Sequence, residues 1–180
     1  MTPRETRQND VLGPLAEHVL EHGLAAASLR PLAAAVGTSD RMLLYYFGDK
    51  ESLIGAVLAR IAADMLLRLE RALPDASTRP FASLLADLWS AAASPELRPY
   101  MVVWLEAATL SARGIEPYRT VSSQIVQGFL DWATARLEEP NPIERSKQAA
   151  DLLTRIDGAM LMDVLGRRDI ADAAMTSSRV

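Results

Sequence analysis

Residues 23–53 read GLAAASLRPLAAAVGTSDRMLLYYFGDKESL. Ser28 stands where an N-cap belongs, ahead of a short helical pattern through Val36, with Pro31 in the first turn, where its missing N–H does no harm. Gly37 ends that pattern and can adopt the positive φ of a sharp inter-helix turn. Thr38 or Ser39 then caps a third short helix reaching about Tyr46. Ala33 precedes Gly37 by one helical turn, so its small side chain lets the two helices approach closely. Leu29, Leu32, Val36, Leu43 and Phe47 supply an apolar seam, leaving Thr38, Ser39, Asp40, Arg41, Met42 and Tyr45 near the outer surface of the third helix. Short helices joined by a tight glycine turn describe a helix-turn-helix. A helix presented this way can enter a DNA major groove with its N-terminal residues at base edges.

The pattern stays helical on both sides of this stretch, with no repeat and no strand-like alternation. Upstream, a helix from about Glu5 to His22 places Val11, Leu12, Leu15, Ala16, Val19 and Leu20 on one face, and Gly23 stops it. Downstream, Gly48 and Asp49 open a long helix with apolar Leu53, Ile54, Val57, Leu58, Ile61, Met65, Leu66 and Leu69. A loop over 74–80 follows, then helices over 81–93, 97–113, 115–138 and 143–166. The tail from Arg167 adds one turn of helix and then frays.

Bulk composition bounds the function. Hydrophobic residues make up 49% of 180, enough for a packed core, and the absence of cysteine excludes disulfides and thiolate metal sites. The polar N-terminus lacks a signal peptide's apolar core, and no stretch approaches the roughly 20 apolar residues of a membrane span, so a cytoplasmic protein with no membrane partner is expected. The net charge of −4 argues against indiscriminate coating of nucleic acid, although a local binding face is compatible with it. Residues 1–50 carry five Arg/Lys against six Asp/Glu, so the module is not basic overall. Tolerance of that balance requires Glu5, Glu17 and Glu21 to point away from DNA. Arg4 and Arg7 read as a frayed terminus or, alternatively, an arm toward the minor groove or phosphates. His18 and His22 have the i, i+4 spacing of a helical metal pair but sit beside Glu17 and Glu21 on what reads as a solvated face; neither a metal nor a cofactor is expected.

The stretch resembles the TetR family of bacterial repressors. The matching residues are Gly23, Ser28, Ala33, Gly37, Ser39, Leu43, Phe47, Lys50 and Leu53. The resemblance implies phosphate contacts at Ser28, Lys50 and Tyr45, and a reading helix over about 39–46. Two residues depart from the pattern. Leu44 replaces the family's first Tyr, so that contact is either lost or moved to Tyr45 or Tyr46, and Arg41 replaces a residue that is usually small. Arg41 pairs with a guanine, worth about 1–3 kcal/mol of discrimination, grips a phosphate, or is simply exposed to solvent. The expected DNA-binding set is Ser28, Arg30, Thr38, Ser39, Asp40, Arg41, Met42, Tyr45, Tyr46 and Lys50.

The expected architecture is all-α: a helix-turn-helix DNA-binding domain over 1–49, joined by the long helix to a ligand-binding and dimerisation domain over 50–180. The last two long helices are apolar around much of their circumference, which requires burial on more than one side. Dimerisation is assigned to Val121, Ile125, Trp132, Leu152, Ile156, Gly158 and Met160, with burial in the monomer's own core as the alternative. Trp89, Tyr100, Met101, Trp104, Leu105, Glu106 and Phe129 are the candidate ligand-binding residues. Glu106 interrupts an apolar run and needs a partner if buried: Arg98, Arg113 or a ligand. The resulting expectation is a homodimeric, ligand-released repressor on palindromic double-stranded DNA, and not an enzyme. The competing reading is a small helical enzyme using Glu106 as acid or base, against which no nucleophile–base pair or phosphate loop is present.

Overall fold

The computed structural model describes residues 3–73 and 77–176; the first part of the expected 74–80 loop and the end of the expected frayed tail lie outside them. Among the described residues there are nine α-helices and one 3-10 turn. The chain packs as two compact units. One comprises the residues up to Met65 with Val102–Ser123, and the other Leu66–Met101 with the residues from Gln124 on.

In the first unit, α1 (Pro3–His22) runs through Pro14 without a break. An interior proline costs about 3 kcal/mol or more. The turn around it buries Leu15, Ala16 and Val19 to 1% exposure or less, and each such aliphatic larger than alanine contributes about 1.5–3 kcal/mol, enough to offset the proline. A 3-10 turn, Leu24–Ala26, leads to α2 (Leu29–Ala35), then α3 (Asp40–Phe47) and α4 (Lys50–Ala72). Helices α1, α2 and α3 all pack on one another, around Leu32, Ala33, Leu43 and Phe47. Gly37, at φ 65°, has nothing near the position a Cβ would take, so the dihedral rather than crowding favours glycine there.

The second unit contains α5 (Phe81–Ala92), α8 (Pro142–Val164) and α9 (Arg168–Thr176), which pack on one another. Helices α6 (Arg98–Ala112) and α7 (Tyr118–Thr134), like α4, each belong partly to both units. Helix α7 is shorter than the 115–138 read from periodicity. Pro117 disfavours helical geometry at the residue before it. At the other end, the backbone at Arg136 and Glu138 hydrogen-bonds Arg79 instead of continuing the helix. Asn141 caps α8, accepting from the N–H groups of Ile143 and Glu144.

Helix α9 is nine residues long rather than one turn. Its Ala171 is fully buried, and Asp172 accepts a hydrogen bond from Trp89 Nε1 at 2.9 Å. Arg168 stacks over the Trp89 ring and bonds the buried Asp163, which also receives Arg98 at 2.7 Å. Tertiary contacts thus hold a helix longer than the single turn expected from the sequence.

Candidate nucleic-acid interface

Ser39 caps α3, its hydroxyl accepting from the N–H of Met42 at 3.3 Å. One side of α3 is fixed by Leu43 and Phe47, 0% and 6% exposed. The 3.6-residue repeat therefore turns Arg41, Met42 and Tyr45 outward together. Tyr45 is 60% exposed, Arg41 is exposed, and Thr38 and Tyr46 are half-buried. Among the described residues, Arg41 makes no hydrogen bond or ion pair.

The flanking positions are also open. Ser28 occupies the N-cap of α2, yet its hydroxyl makes no capping hydrogen bond. Arg30 and Lys50 are exposed. Asp49 turns its carboxylate onto the N-terminus of α4, accepting from the Ser52 N–H at 2.7 Å. That bond and the Ser52 hydroxyl hold its carboxyl below the ordinary aspartate range. Asp40, in the first turn of α3, remains exposed beside Arg41.

Arg4 is not part of a frayed terminus. Its Nε donates to the Tyr46 carbonyl at 3.0 Å, and its guanidinium lies over the Tyr45 ring. A cation at the C-terminal end of α3 is favoured by the helix dipole, and here it adds positive charge next to the exposed face of α3. Arg7 instead pairs with Asp10. The two histidines are not simply solvated: their rings stack at 4.4 Å, and His18 Nε2 is buried without a partner among the described residues.

The expected ligand residues divide between the two units. Trp89, Tyr100, Met101 and Phe129 lie buried in the second unit, while Trp104, Leu105 and Glu106 are half-buried in the first. Neither expected arginine meets Glu106. Its Oε2 accepts from the backbone N–H of Leu24 at 2.6 Å, and Arg98 is taken by Asp163. The second unit has a recess of about 310 Å³, lined by Arg68, Leu73, Asp87, Ser90, Ser94 and Glu96 among others, and none of the seven expected residues lines it. Tyr100 stands next to it through Arg68, whose Nε donates to the phenol oxygen at 2.8 Å. Also in this unit, Trp132 Nε1 is a buried donor with no acceptor among the described residues.

Of the expected dimerisation residues, Leu152 and Met160 are fully enclosed by the chain itself, and Ile156, Trp132 and Val121 nearly so. Ile125 is half-buried, and Gly158 is exposed with nothing near its Cβ position. Ile143 is exposed in the first turn of α8, and toward the other end of the helix the apolar side chains left open are Leu161 and, at the C-cap, Leu165, 42% and 65% exposed. With Gly158 these two leucines recur at the i, i+3, i+7 spacing of a single helix face. Periodicity indicated a two-sided helix but not which side its own unit covers.

Residues 16–57 match the family model for bacterial regulatory proteins of the tetR family. Comparison with curated proteins gives no match. Among solved structures, the chain is similar to a transcriptional regulator from Rhodococcus sp. Rha1 (20% identity, 93% of this chain and 91% of that one, TM-score 0.70). It is also similar to a TetR-family transcriptional regulator from Rhodococcus sp. (14%, 94% of each chain, TM-score 0.72). A third similar structure is a transcriptional regulator from Saccharomonospora viridis in complex with choline (18%, 95% and 92%, TM-score 0.64). Identities this low show a shared fold.

Proposed function

We propose that the chain, whose residues 16–57 match the family model for bacterial regulatory proteins of the tetR family, is a ligand-responsive repressor acting as a homodimer on palindromic double-stranded DNA. The observation that carries this reading is the outer face of α3, where Arg41, Met42 and Tyr45 are exposed together while Leu43 and Phe47 lock the helix from behind. Ser28, Arg30 and Lys50 supply phosphate contacts around it, and Thr38, Ser39, Asp40 and Tyr46 complete the surface. Phosphate contacts set position and base contacts set sequence.

Dimerisation is assigned to the open α8 face at Gly158, Leu161 and Leu165, with Ile125 of α7. The effector site is placed in the second unit. Its supports are the recess beside Arg68 and Tyr100, the buried Trp132 donor with no acceptor among the described residues, and a relative of the same fold that holds choline. A dimer reading two half-sites needs its reading helices about 34–36 Å apart. An effector that prefers another spacing weakens DNA binding by no more than its preference between the two states. The enzyme reading assigned Glu106 as acid or base, but one oxygen of that carboxylate is committed to a backbone amide.

The test is selection of duplexes from a random pool by the wild-type chain at fixed salt. Enrichment of an inverted repeat, bound well above random DNA, is the expected result. Binding to the enriched pool no tighter than to random DNA would sink the regulator reading.

A further inference from the structure

The segment from Gly23 to Ser28 joins α1 to α2 through one 3-10 turn, held by backbone bonds of its own and, at Leu24, by an acceptor outside it. Gly23 closes α1 at φ 76°, its N–H bonded to the Val19 carbonyl. The next N–H, that of Leu24, opens the 3-10 turn and so has no acceptor within it. Its acceptor is Glu106 Oε2 on α6, at 2.6 Å and 82 residues away in sequence. Leu24 itself is 7% exposed. A hydrogen bond to a carboxylate is shorter and stronger than one to a neutral oxygen. The approach is close enough that a Cβ on Gly23 would stand 2.9 Å from Glu106 Oε1. The carboxylate's charge also reaches α7: burial first, and then Glu106, raises the Tyr118 phenol pKa.

We propose that Glu106 is a positioning residue for DNA recognition: by holding the Leu24 amide from α6, it sets where α2 begins and hence the register of the Ser28 and α3 surface. The path to that surface is short. Ser28 follows Leu24 by four residues, and its carbonyl accepts the Leu32 N–H of α2. Ala33 of α2 accepts the Thr38 N–H at 2.9 Å, just ahead of α3. Glu106 lies outside the three-helix head and adds no group to the reading face, so its removal acts on fit rather than on charge at the DNA. This rests on the DNA-binding reading above.

The test uses the full chain with Glu106→Ala, Glu106→Asp and Glu106→Gln. Three readouts are taken: exchange of the Leu24 amide, affinity for the selected duplex and for random duplex at one salt concentration, and thermal stability. Alanine removes the acceptor, aspartate withdraws it by one methylene, and glutamine keeps an acceptor oxygen at the same reach. The expected result is faster Leu24 exchange in the Ala and Asp variants, with the ratio of specific to random affinity falling about tenfold, the scale of a lost hydrogen bond to a charged group. Random-duplex affinity stays within about twofold, and Gln recovers most of the ratio. An Asp variant that folds decides the matter if the Ala variant does not.

The proposal is overturned if Leu24 exchange is unaltered. It is also overturned if that amide is released while the affinity ratio holds, or if both affinities fall together with stability. A wild-type chain that selects no duplex ends this proposal and the repressor reading together. That outcome is visible before any substitution and is therefore distinct from the others.

Discussion

Arg41 stands exposed on α3 without an intramolecular partner among the described residues, so replacing it leaves the fold intact. Arg41→Ala is expected to weaken binding to the selected duplex by about 1–3 kcal/mol with no change in melting temperature. Gel-shift titration against duplexes permuted at each position separates the two DNA-contact roles that the sequence left open. Relaxed preference at one base pair indicates base readout, and a uniform loss indicates phosphate contact. Asp163 is the opposite kind of residue. It is 7% exposed and bonded by both Arg98 and Arg168. Asp163→Ala leaves two guanidiniums without their shared carboxylate, and urea denaturation should show a loss of about 3 kcal/mol, the low end for breaking a buried pair because both arginines are half in water. The exposed role was legible from the helical repeat. The buried one was not, because Asp163 reads locally as one more charge on an amphipathic helix.

At the scale of elements, Asp49 gives α4 a pH-dependent start. Its folded-state pKa is lowered, so the stabilisation is complete above the ordinary aspartate pKa and is lost as pH falls through the window just beneath it. Exchange of the Ser52 amide should quicken across that window in the wild type and not in Asp49→Asn, which cannot titrate. Helix α9 offers a second test. Ending the chain after Gly166 removes Asp172 from Trp89 and Arg168 from Asp163. The expected consequence is a lower melting temperature and a red shift in tryptophan emission as the Trp89 indole meets water. Unchanged emission would mean that α9 does not cover Trp89 in solution. Helices α1 to α4 were placed within a few residues by their caps and glycines, because those signals are local. The start of α7 follows from the adjacent Pro117, but its C-terminal end and the length of α9 depend on Arg79 and Trp89, distant residues that no window around either helix contains.

For the whole molecule, two-fold DNA recognition requires two chains, and the open face of α8 is the candidate seam. Sedimentation at micromolar concentration should show a dimer. Leu165→Arg, at a side chain 65% exposed in the single chain, should weaken dimerisation roughly tenfold or more, about 1.4 kcal/mol, while circular dichroism stays unchanged. A dimer indifferent to that substitution would move the seam elsewhere, and a wild-type monomer would remove the basis for palindromic recognition. Leu152 and Met160 make poor sites for the same experiment. Both are enclosed by their own chain, and replacing them would unfold it rather than split a dimer.

The sequence by itself determined the helical class, the helix-turn-helix and its outer face, because a 3.6-residue repeat, a cap and a positive-φ glycine act over a few neighbouring residues. Ser39, Leu43, Phe47 and Gly37 contain that information whatever the rest of the chain does. Only the tertiary structure decided that Glu106 holds the Leu24 amide, that Arg4 reaches Tyr46, that Arg98 meets Asp163, and which face of α8 stays open. These partners lie 82, 42 and 65 residues apart in the three bonded cases. A side chain's partner at such separation is set by where whole helices pack, and apolar periodicity says only that a face is buried, not what buries it.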